Sequence, residues 1–238
     1  MPRFQFAALT LTFSLILSSH GLVKRQSDLQ SCLSGLQVAF PNNPSYPQLS
    51  QSFNSRLRYS PVAVVGVYAI FRPLSLKSGA THSIFRTSVK DVQVAVKCGA
   101  NAQTPVVARS GGHSYAAYGV GGQDGSLVID LSALKNITYT SDHQQATVQT
   151  GNRLGDVGVS LWNNGQRALP HGTCPNVGSG GHTSYGGYGF LSRFGGLLLD
   201  RVVSAEVVLA NGTVVTASKD SHADLFWVST CSLQETRL

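Results

Sequence analysis

Two glycine-rich segments constrain this chain more than any other feature of its sequence. Residues 109–115 read RSGGHSY, and residues 172–182 read GTCPNVGSGGH. Glycine allows positive φ and has no Cβ, so the backbone N–H groups of such loops can converge on an anion such as a pyrophosphate. Each loop also carries a nucleophile, His113 in the first and Cys174 in the second, and both can bond to an electron-poor ring held between them. The two loops therefore indicate a site for a flavin cofactor.

Two amphipathic helices are predicted beside these loops. One covers residues 88–98, with Ser88 as its N-terminal cap and Gly99 as the residue that ends it. The other covers residues 153–164. The apolar positions that face inward are Val89, Val92 and Val96 in the first helix and Leu154, Val157 and Leu161 in the second.

Short apolar strands are predicted between the helices. They cover residues 104–108, 127–131, 146–150, 202–210 and 213–217. The last two form a hairpin in which Asn211 and Gly212 predict a type I′ turn. Asp130 lies inside an apolar strand, so we expect it to cap or pair locally rather than act as a base. Strands and helices mixed in this way, with the loops at strand ends, favour an α/β or α+β nucleotide-binding domain.

The N-terminus has the pattern of a secretory leader over residues 1–25. Arg3 is followed by an apolar core over residues 6–17, a small-residue zone and the dibasic pair Lys24-Arg25. We therefore expect a secreted, extracellular protein. No later run of eighteen apolar residues predicts a membrane span. The formal charge of +7 falls to +4 without residues 1–25, which hold three of the 18 basic and none of the 11 acidic residues, and no basic stripe indicates a nucleic-acid partner.

Secretion makes disulfides and glycosylation possible. Four cysteines allow three full pairings. We predict that Cys32 pairs with Cys98, which ties the mature N-terminus to a helix and leaves Cys174 free for chemistry. Two acceptor sequons for N-glycosylation begin at Asn136 and Asn211.

At the two loops the chain resembles the berberine-bridge-enzyme-like oxidases, within the FAD-linked oxidases related to vanillyl-alcohol oxidase. The resemblance covers residues 86–227. Its markers, in order, are RSGGH at 109–113, LVIDL at 127–131, the whole loop 172–182, and AEVVLANGTVV at 205–215. It implies an α+β fold, namely a PCMH-type FAD-binding domain of two α+β subdomains that clasp an extended FAD.

The resemblance also implies how FAD is held. His113 would carry the 8α-methyl group of the flavin and Cys174 its ring carbon C6, so that FAD is covalent and, where both links form, bicovalent. His182 is either a cofactor contact or a structural histidine, and Tyr115, Tyr118 and Tyr185 are expected to be packing residues. The residues expected to bind the cofactor are Arg109, Ser110, Gly111, Gly112, His113, Ser114, Gly172, Cys174, Val177, Gly178, Gly180, Gly181, His182, Gly186, Gly187 and Gly189.

The chain departs from the family pattern in three places. Family members are about twice this length, and their C-terminal part and substrate domain, with a tyrosine that acts as base, are expected to be missing here. We therefore assign no catalytic residue. Residues 64–85 form an atypical insertion and residues 228–238 an atypical tail, for which we hypothesise intron read-through or a truncated gene model. An N-terminal segment at 26–63 precedes the insertion, and the FAD-binding domain at 86–227 lies between the insertion and the tail.

Three functions follow from these patterns. The first is a secreted FAD-linked oxidase that acts on a small alcohol, carbohydrate or secondary metabolite, with molecular oxygen as acceptor. The second is a catalytically inactive FAD-binding fragment. The third is a zinc module built from His113, His171, Cys174 and His182, although these residues lack a close-spaced clip that would organise a metal site. The sequence assigns neither the substrate nor the oligomeric state.

Overall fold

The fold is taken from a computed structural model that describes residues 27–66 and 88–231. The predicted leader, residues 67–85 of the atypical insertion, and residues 232–238 of the tail lie outside these ranges. Residues 64–66 of the insertion belong to a strand, and residues 228–231 continue a helix. Of Cys231 only the backbone is described.

A four-stranded sheet forms the centre of the domain. Its strands are β1 (Val38–Ala39), β2 (Ala63–Gly66), β3 (Val106–Arg109) and β4 (Leu127–Asp130). They lie in the order β1-β2-β4-β3, with β2, β4 and β3 parallel and β1 antiparallel to β2. Every residue of β2 and β4 is buried, as expected of parallel strands covered on both faces.

Successive residues of the strands pack into two cores, because side chains alternate across a sheet. Val65 and Ile129 face a helix α1, described over residues 27–32, and a helix α3 (Val89–Asn101). Val64 and Val128 face the opposite core, which contains residues near a short helix α2 (Tyr46–Leu49). The predicted disulfide is confirmed, since Cys32 and Cys98 join α1 to α3.

The predicted stop of helix α3 at Gly99 is wrong, although its start is as expected. Ser88 is the N-cap, and its N–H donates to Asp91 Oδ2 at 3.1 Å. The helix continues to Asn101. Gly99 is needed there for packing, because a Cβ at this position would lie 2.3 Å from Val106 Cγ2 on β3.

Two antiparallel hairpins follow the sheet in the chain. The first pairs β5 (Ile137–Tyr139) with β6 (Ala146–Val148), and the second pairs β7 (Ser204–Val208) with β8 (Val214–Ser218). The type I′ turn predicted for the second is wrong, because only Gly212 of its two central residues has positive φ. The turn instead closes over residues 210–212, and Gln93 on α3 donates to the Gly212 carbonyl at 2.6 Å.

The remaining helices are α4 (Leu154–Asn163), α5 (Ser179–Ser184), α6 (Ser192–Gly195) and α7 (Ala223–Cys231). Leu154, Val157 and Leu161 are buried on α4, as predicted. Among the described residues, no helix is both long and apolar enough to cross a bilayer. Strands and helices are thus mixed in an α+β arrangement, in which the first glycine loop begins at the end of β3 and the second continues into α5.

Candidate cofactor site

The first glycine loop leaves the end of β3 through a buried ion pair. Arg109 Nε and Nη2 lie 2.6 and 2.5 Å from Asp130 Oδ2, and Arg109 Nη1 donates to the Leu49 carbonyl at 2.6 Å. Asp130 Oδ1 also accepts a bond from the Ser132 N–H at 2.8 Å. The prediction that Asp130 pairs locally is confirmed. Because the Arg109 guanidinium is engaged in the protein, these contacts lend no support to its predicted role in cofactor binding.

The two glycine loops meet backbone to backbone. A Cβ on Gly111 would lie 2.3 Å from the Gly178 nitrogen, and a Cβ on Gly178 would lie 2.2 Å from the Gly111 nitrogen. Real Cβ atoms do not approach other heavy atoms this closely, so both positions require glycine for this contact. Two loops that are more than sixty residues apart in the chain are therefore adjacent in space.

Ser110 links the first loop to the start of helix α5 by a hydrogen bond. Its Oγ donates to the Thr150 carbonyl and accepts a bond from the Gly180 N–H at 3.2 Å. The glycine at 180 is tightly packed as well, since a Cβ there would lie 3.0 Å from Ser110 Cβ. The predicted site residues Ser110, Gly111, Gly178 and Gly180 therefore form one contiguous contact.

The second loop is held by the first turn of α4. The N–H groups of Leu154 and Gly155 donate to the carbonyls of Val177 and Pro175 at 2.9 and 3.0 Å. Helix N-termini leave their first N–H groups without intrahelical partners, and here the cysteine loop supplies the acceptors. The carbonyl of Cys174 itself accepts a bond from the Val177 N–H at 3.3 Å.

Arg153, which sequence reasoning did not assign to the site, bridges both loops. Its Nη1 donates to the Gly111 carbonyl at 2.7 Å and to the Asn176 carbonyl at 2.9 Å. In the sequence, Arg153 is one basic residue at the start of a predicted helix, and nothing in its spacing indicates this role.

His113 is half-buried and stacked on an aromatic ring. The Phe53 and His113 ring centroids are 4.4 Å apart at an interplanar angle of 27°. Burial, and then the positive charge of Arg153, lower the pKa of His113, while the Asn176 carbonyl opposes this shift. The imidazole therefore remains neutral to a lower pH than an ordinary histidine, and a neutral imidazole has the free lone pair that a nucleophile needs. Phe53 lies in the N-terminal segment, and no sequence pattern links it to the loop.

Cys174 lies exposed in the second loop as a free thiol. The other two cysteines whose side chains are described form the disulfide. A thiol that is exposed and not paired is available to an incoming electrophile once it ionises. This is the condition that the predicted covalent link requires.

His182 has a structural contact. Its Nε2 accepts a bond from the Gly172 N–H at 2.9 Å, so the proton of the neutral ring is assigned to Nδ1. Burial and then the charge of His171 lower the pKa of His182. His171 Nδ1 lies 2.8 Å from the Gly172 carbonyl.

Within residues 27–66 and 88–231, no three His, Cys, Asp or Glu side chains gather as metal ligands, so the zinc alternative has no ligand set there.

The later glycines allow close packing within the protein itself. A Cβ on Gly189 would lie 1.8 Å from the His171 carbonyl oxygen, and Gly187, at φ +73°, packs against Leu198. The predicted cofactor contacts of Gly186, Gly187 and Gly189 remain predictions. The three nearby tyrosines, which we expected to be packing residues, are largely exposed, although the Tyr115 ring packs edge-on against Phe53 with the ring centroids 5.4 Å apart. Their exposed fractions are 75% for Tyr115, 60% for Tyr118 and 66% for Tyr185.

An α+β domain in which two touching glycine loops carry a histidine and a free cysteine fits the class of flavin-binding proteins. Comparison with known proteins gives the family. Residues 81–218, more than half of the chain, match the FAD binding domain family. The chain belongs to this family, and its resemblance to the berberine-bridge-enzyme-like FAD-linked oxidases is confirmed.

Three similar proteins illustrate the relationship. Xylooligosaccharide oxidase of Thermothelomyces thermophilus is 40% identical over 85% of this chain and 37% of its own length. The structure of Physcomitrella patens BBE-like 1 aligns with a TM-score of 0.74 at 38% identity, over 85% of this chain and 40% of that one. A structure of Acremonium strictum glucooligosaccharide oxidase, described as containing 6-S-cysteinyl, 8α-N1-histidyl FAD, aligns with a TM-score of 0.74 at 34% identity, over 85% and 39%.

The chain spans about two fifths of the length of these relatives. Its residues nevertheless fit FAD. Among the hydrogen bonds of the described residues, none uses the N–H groups of residues 111–114, which leaves four donors for an anionic group. The Ser179 hydroxyl is buried at the start of α5 without a partner in the described ranges. A buried orphan hydroxyl is costly, and a bound ligand beside the loops would supply its partner.

Proposed function

We propose that this chain is the FAD-binding part of a secreted FAD-linked oxidase that acts on an oligosaccharide, with the flavin bonded to both His113 and Cys174. The observation that carries the proposal is the contact between the two loops at Gly111 and Gly178. This contact places the loop that carries His113 next to the loop that carries Cys174. A single ring between the loops can then reach both nucleophiles.

The protein groups divide between anchoring and attachment. The N–H donors of residues 111–114 would bind the pyrophosphate, with the Ser179 hydroxyl as a further polar contact near α5. His113 and Cys174 would fix the ring. When bound, FAD supplies a two-electron acceptor whose electrons pass on to molecular oxygen as hydrogen peroxide. We propose that the FAD-binding unit extends over residues 86–227, with Gly172, Val177 and Gly181 lining the same surface.

The proposed substrate class comes from the relatives. Proteins similar to this chain are named xylooligosaccharide, chitooligosaccharide and glucooligosaccharide oxidases. Of the alcohol, carbohydrate and secondary-metabolite substrates that the sequence leaves open, we therefore favour a carbohydrate.

Secretion is supported by three independent features. The leader pattern occupies residues 1–25, the Cys32–Cys98 disulfide needs an oxidising compartment, and both sequon asparagines, Asn136 and Asn211, are exposed. We propose that the mature chain begins after Arg25. N-terminal sequencing of protein from the culture medium tests this, and recovery of an intact leader on secreted protein would contradict it.

Covalent flavin is tested by the visible spectrum of the purified chain before and after acid precipitation. We expect the yellow colour to stay with the pellet. His113→Ala and Cys174→Ala should each retain colour through the remaining link, and the double variant should release all flavin on denaturation. Colour that stays with the denatured double variant would refute the assignment, as would a folded wild-type chain that contains no flavin.

The second candidate is an FAD-binding domain that has no turnover of its own. It is favoured by the fact that the chain spans about two fifths of the length of its relatives. Oxygen uptake by the flavin-loaded chain, measured with xylobiose, cellobiose and chitobiose, distinguishes the two functions. Peroxide formation with any of these sugars supports the oxidase, whereas a flavin-loaded chain that leaves oxygen unchanged supports the second candidate.

A further inference from the structure

We propose that Arg153 is a positioning residue that holds the two glycine loops in register, so that His113 and Cys174 reach the same flavin ring. This inference rests on the proposed function, because it concerns how both links form. Arg153 itself is not assigned to bind or react with the cofactor. Its role is to act through the two loop backbones.

The geometry of the guanidinium carries the proposal. A single nitrogen, Nη1, bonds the Gly111 carbonyl at 2.7 Å and the Asn176 carbonyl at 2.9 Å. Gly111 lies two residues before His113, and Asn176 lies two residues after Cys174. Arg153 therefore sets the separation of the two loops next to each attachment residue.

The bond to Asn176 completes a continuous anchor along the cysteine loop. The carbonyls of Pro175 and Val177 accept bonds from Gly155 and Leu154, and the carbonyl between them accepts the bond from Arg153. Three consecutive carbonyls after Cys174 are thus held by three consecutive residues at the start of α4. Arg153 is the member of this set that also extends to the histidine loop.

A second attachment makes a strict demand on this geometry. Forming each link replaces a C–H bond of the ring system and an N–H or S–H bond of the protein by one C–N or C–S bond. The two electrons and two protons released each time pass to dioxygen and give hydrogen peroxide. Once the first link has formed, the second nucleophile must already lie at bonding distance from its own carbon, and a misplacement of about 1 Å can cost a hundredfold in rate.

The test compares Arg153→Gln and Arg153→Lys with the wild-type full chain. Arg167→Gln, a change of an exposed arginine beyond the end of the same helix, is the matched control. After proteolysis, doubly attached flavin joins the His113 peptide and the Cys174 peptide in one species, which mass spectrometry counts against singly linked peptides. We expect Arg153→Gln to lower the doubly linked fraction about tenfold or more while total bound flavin changes little. Arg153→Lys should restore part of it, and the control should match the wild type.

A second readout is hydrogen–deuterium exchange of peptides that cover residues 109–115 and 172–180. We expect faster exchange in both peptides of Arg153→Gln, and in neither peptide of the control. If the wild type has both links and the folded Gln and Lys variants have them equally, the positioning role is overturned and the proposed function stands. If the wild type has no flavin, the proposed function fails. In that case hydrogen–deuterium exchange still tests Arg153: if both peptides of Arg153→Gln exchange as in the wild type, Arg153 does not hold the two loops.

Discussion

The central sheet and the glycine-loop region are stabilised by different forces. In β2 and β4 every side chain is buried, with Val64 and Leu127 fully inaccessible. In the region that follows the cysteine loop, Phe190 and Phe194 are 90% and 96% exposed. The two glycine loops are held by close glycine contacts and by hydrogen bonds that involve Arg153 and Ser110. We therefore expect the sheet to contribute most of the stability and the loop contacts to determine whether the candidate site is assembled.

This difference implies that changes in the two regions separate into two kinds of effect. Removal of buried apolar or ionic groups in the sheet costs several kcal/mol of stability. A single hydrogen bond contributes about 1 kcal/mol, yet the loop bonds set positions at which small displacements matter for covalent chemistry. A loop variant can thus stay folded and still lose its site.

The largest stability effect is expected from the disulfide. Cys32 and Cys98 are separated by 66 positions, and a loop of that length is expected to contribute about 4 kcal/mol through the entropy of the unfolded chain. Urea unfolding of the Cys32→Ala, Cys98→Ala double variant checks this. Cys174→Ala, which removes an exposed thiol, is the control and should change the free energy of unfolding by less than about 0.5 kcal/mol. A similar small loss in the double variant would show that the sheet does not depend on its link to α1.

A comparable effect is expected from the buried pair at the base of the histidine loop. Asp130→Ala leaves the Arg109 guanidinium buried without its carboxylate, and we expect a loss of about 3–5 kcal/mol. Asp156→Ala breaks the exposed pair with Lys135, in which the charged atoms are 3.6 Å apart, and should cost about 1 kcal/mol or less. Equal losses in these two variants, measured by urea unfolding, would contradict the distinction between sheet and surface.

A smaller stability effect with a larger effect on the site is expected from Gly111→Ala. The new Cβ would lie 2.3 Å from the Gly178 nitrogen, so the loops must separate. We expect a loss of about 1–3 kcal/mol together with loss of acid-stable flavin. Gly35→Ala, where a Cβ would meet no atom within 4 Å, is the control. Retention of doubly linked flavin in Gly111→Ala would show that contact between the loops is not required.

The smallest effect is a dependence of stability on pH. The folded chain lowers the pKa of both His113 and His182, with burial as the main cause. The unfolded chain therefore binds protons first, below about pH 6.5, and the free energy of unfolding should fall as the pH drops from there through the lower folded values. Urea titrations between pH 7.5 and 5.5 measure the slope. His182→Gln, which keeps an acceptor near the Gly172 N–H, should reduce this slope. An unchanged slope would show that other groups cause the dependence on pH.

Much of the fold was predictable because its signals are local. The spacing of Val89, Val92 and Val96, together with the Ser88 cap, located the helix at 88–98, and the apolar run at 127–131 located a buried strand. Two predictions failed where a distant segment altered a local preference. Gly99 lies inside the helix because β3 packs against it, and Asn211-Gly212 forms a different turn that docks on α3.

The sequence by itself indicated the family, the two loops, and the histidine and cysteine that they carry, because glycine, histidine and cysteine carry their chemistry in their own side chains and backbone freedom. It also predicted the disulfide from the position of its cysteines. Only the tertiary structure decided that Gly111 touches Gly178, that Arg153 bridges both loops and that Phe53 stacks on His113. These contacts join residues that lie 23 to 67 positions apart. No local pattern encodes them, because they exist only once the sheet and α4 have brought the segments together.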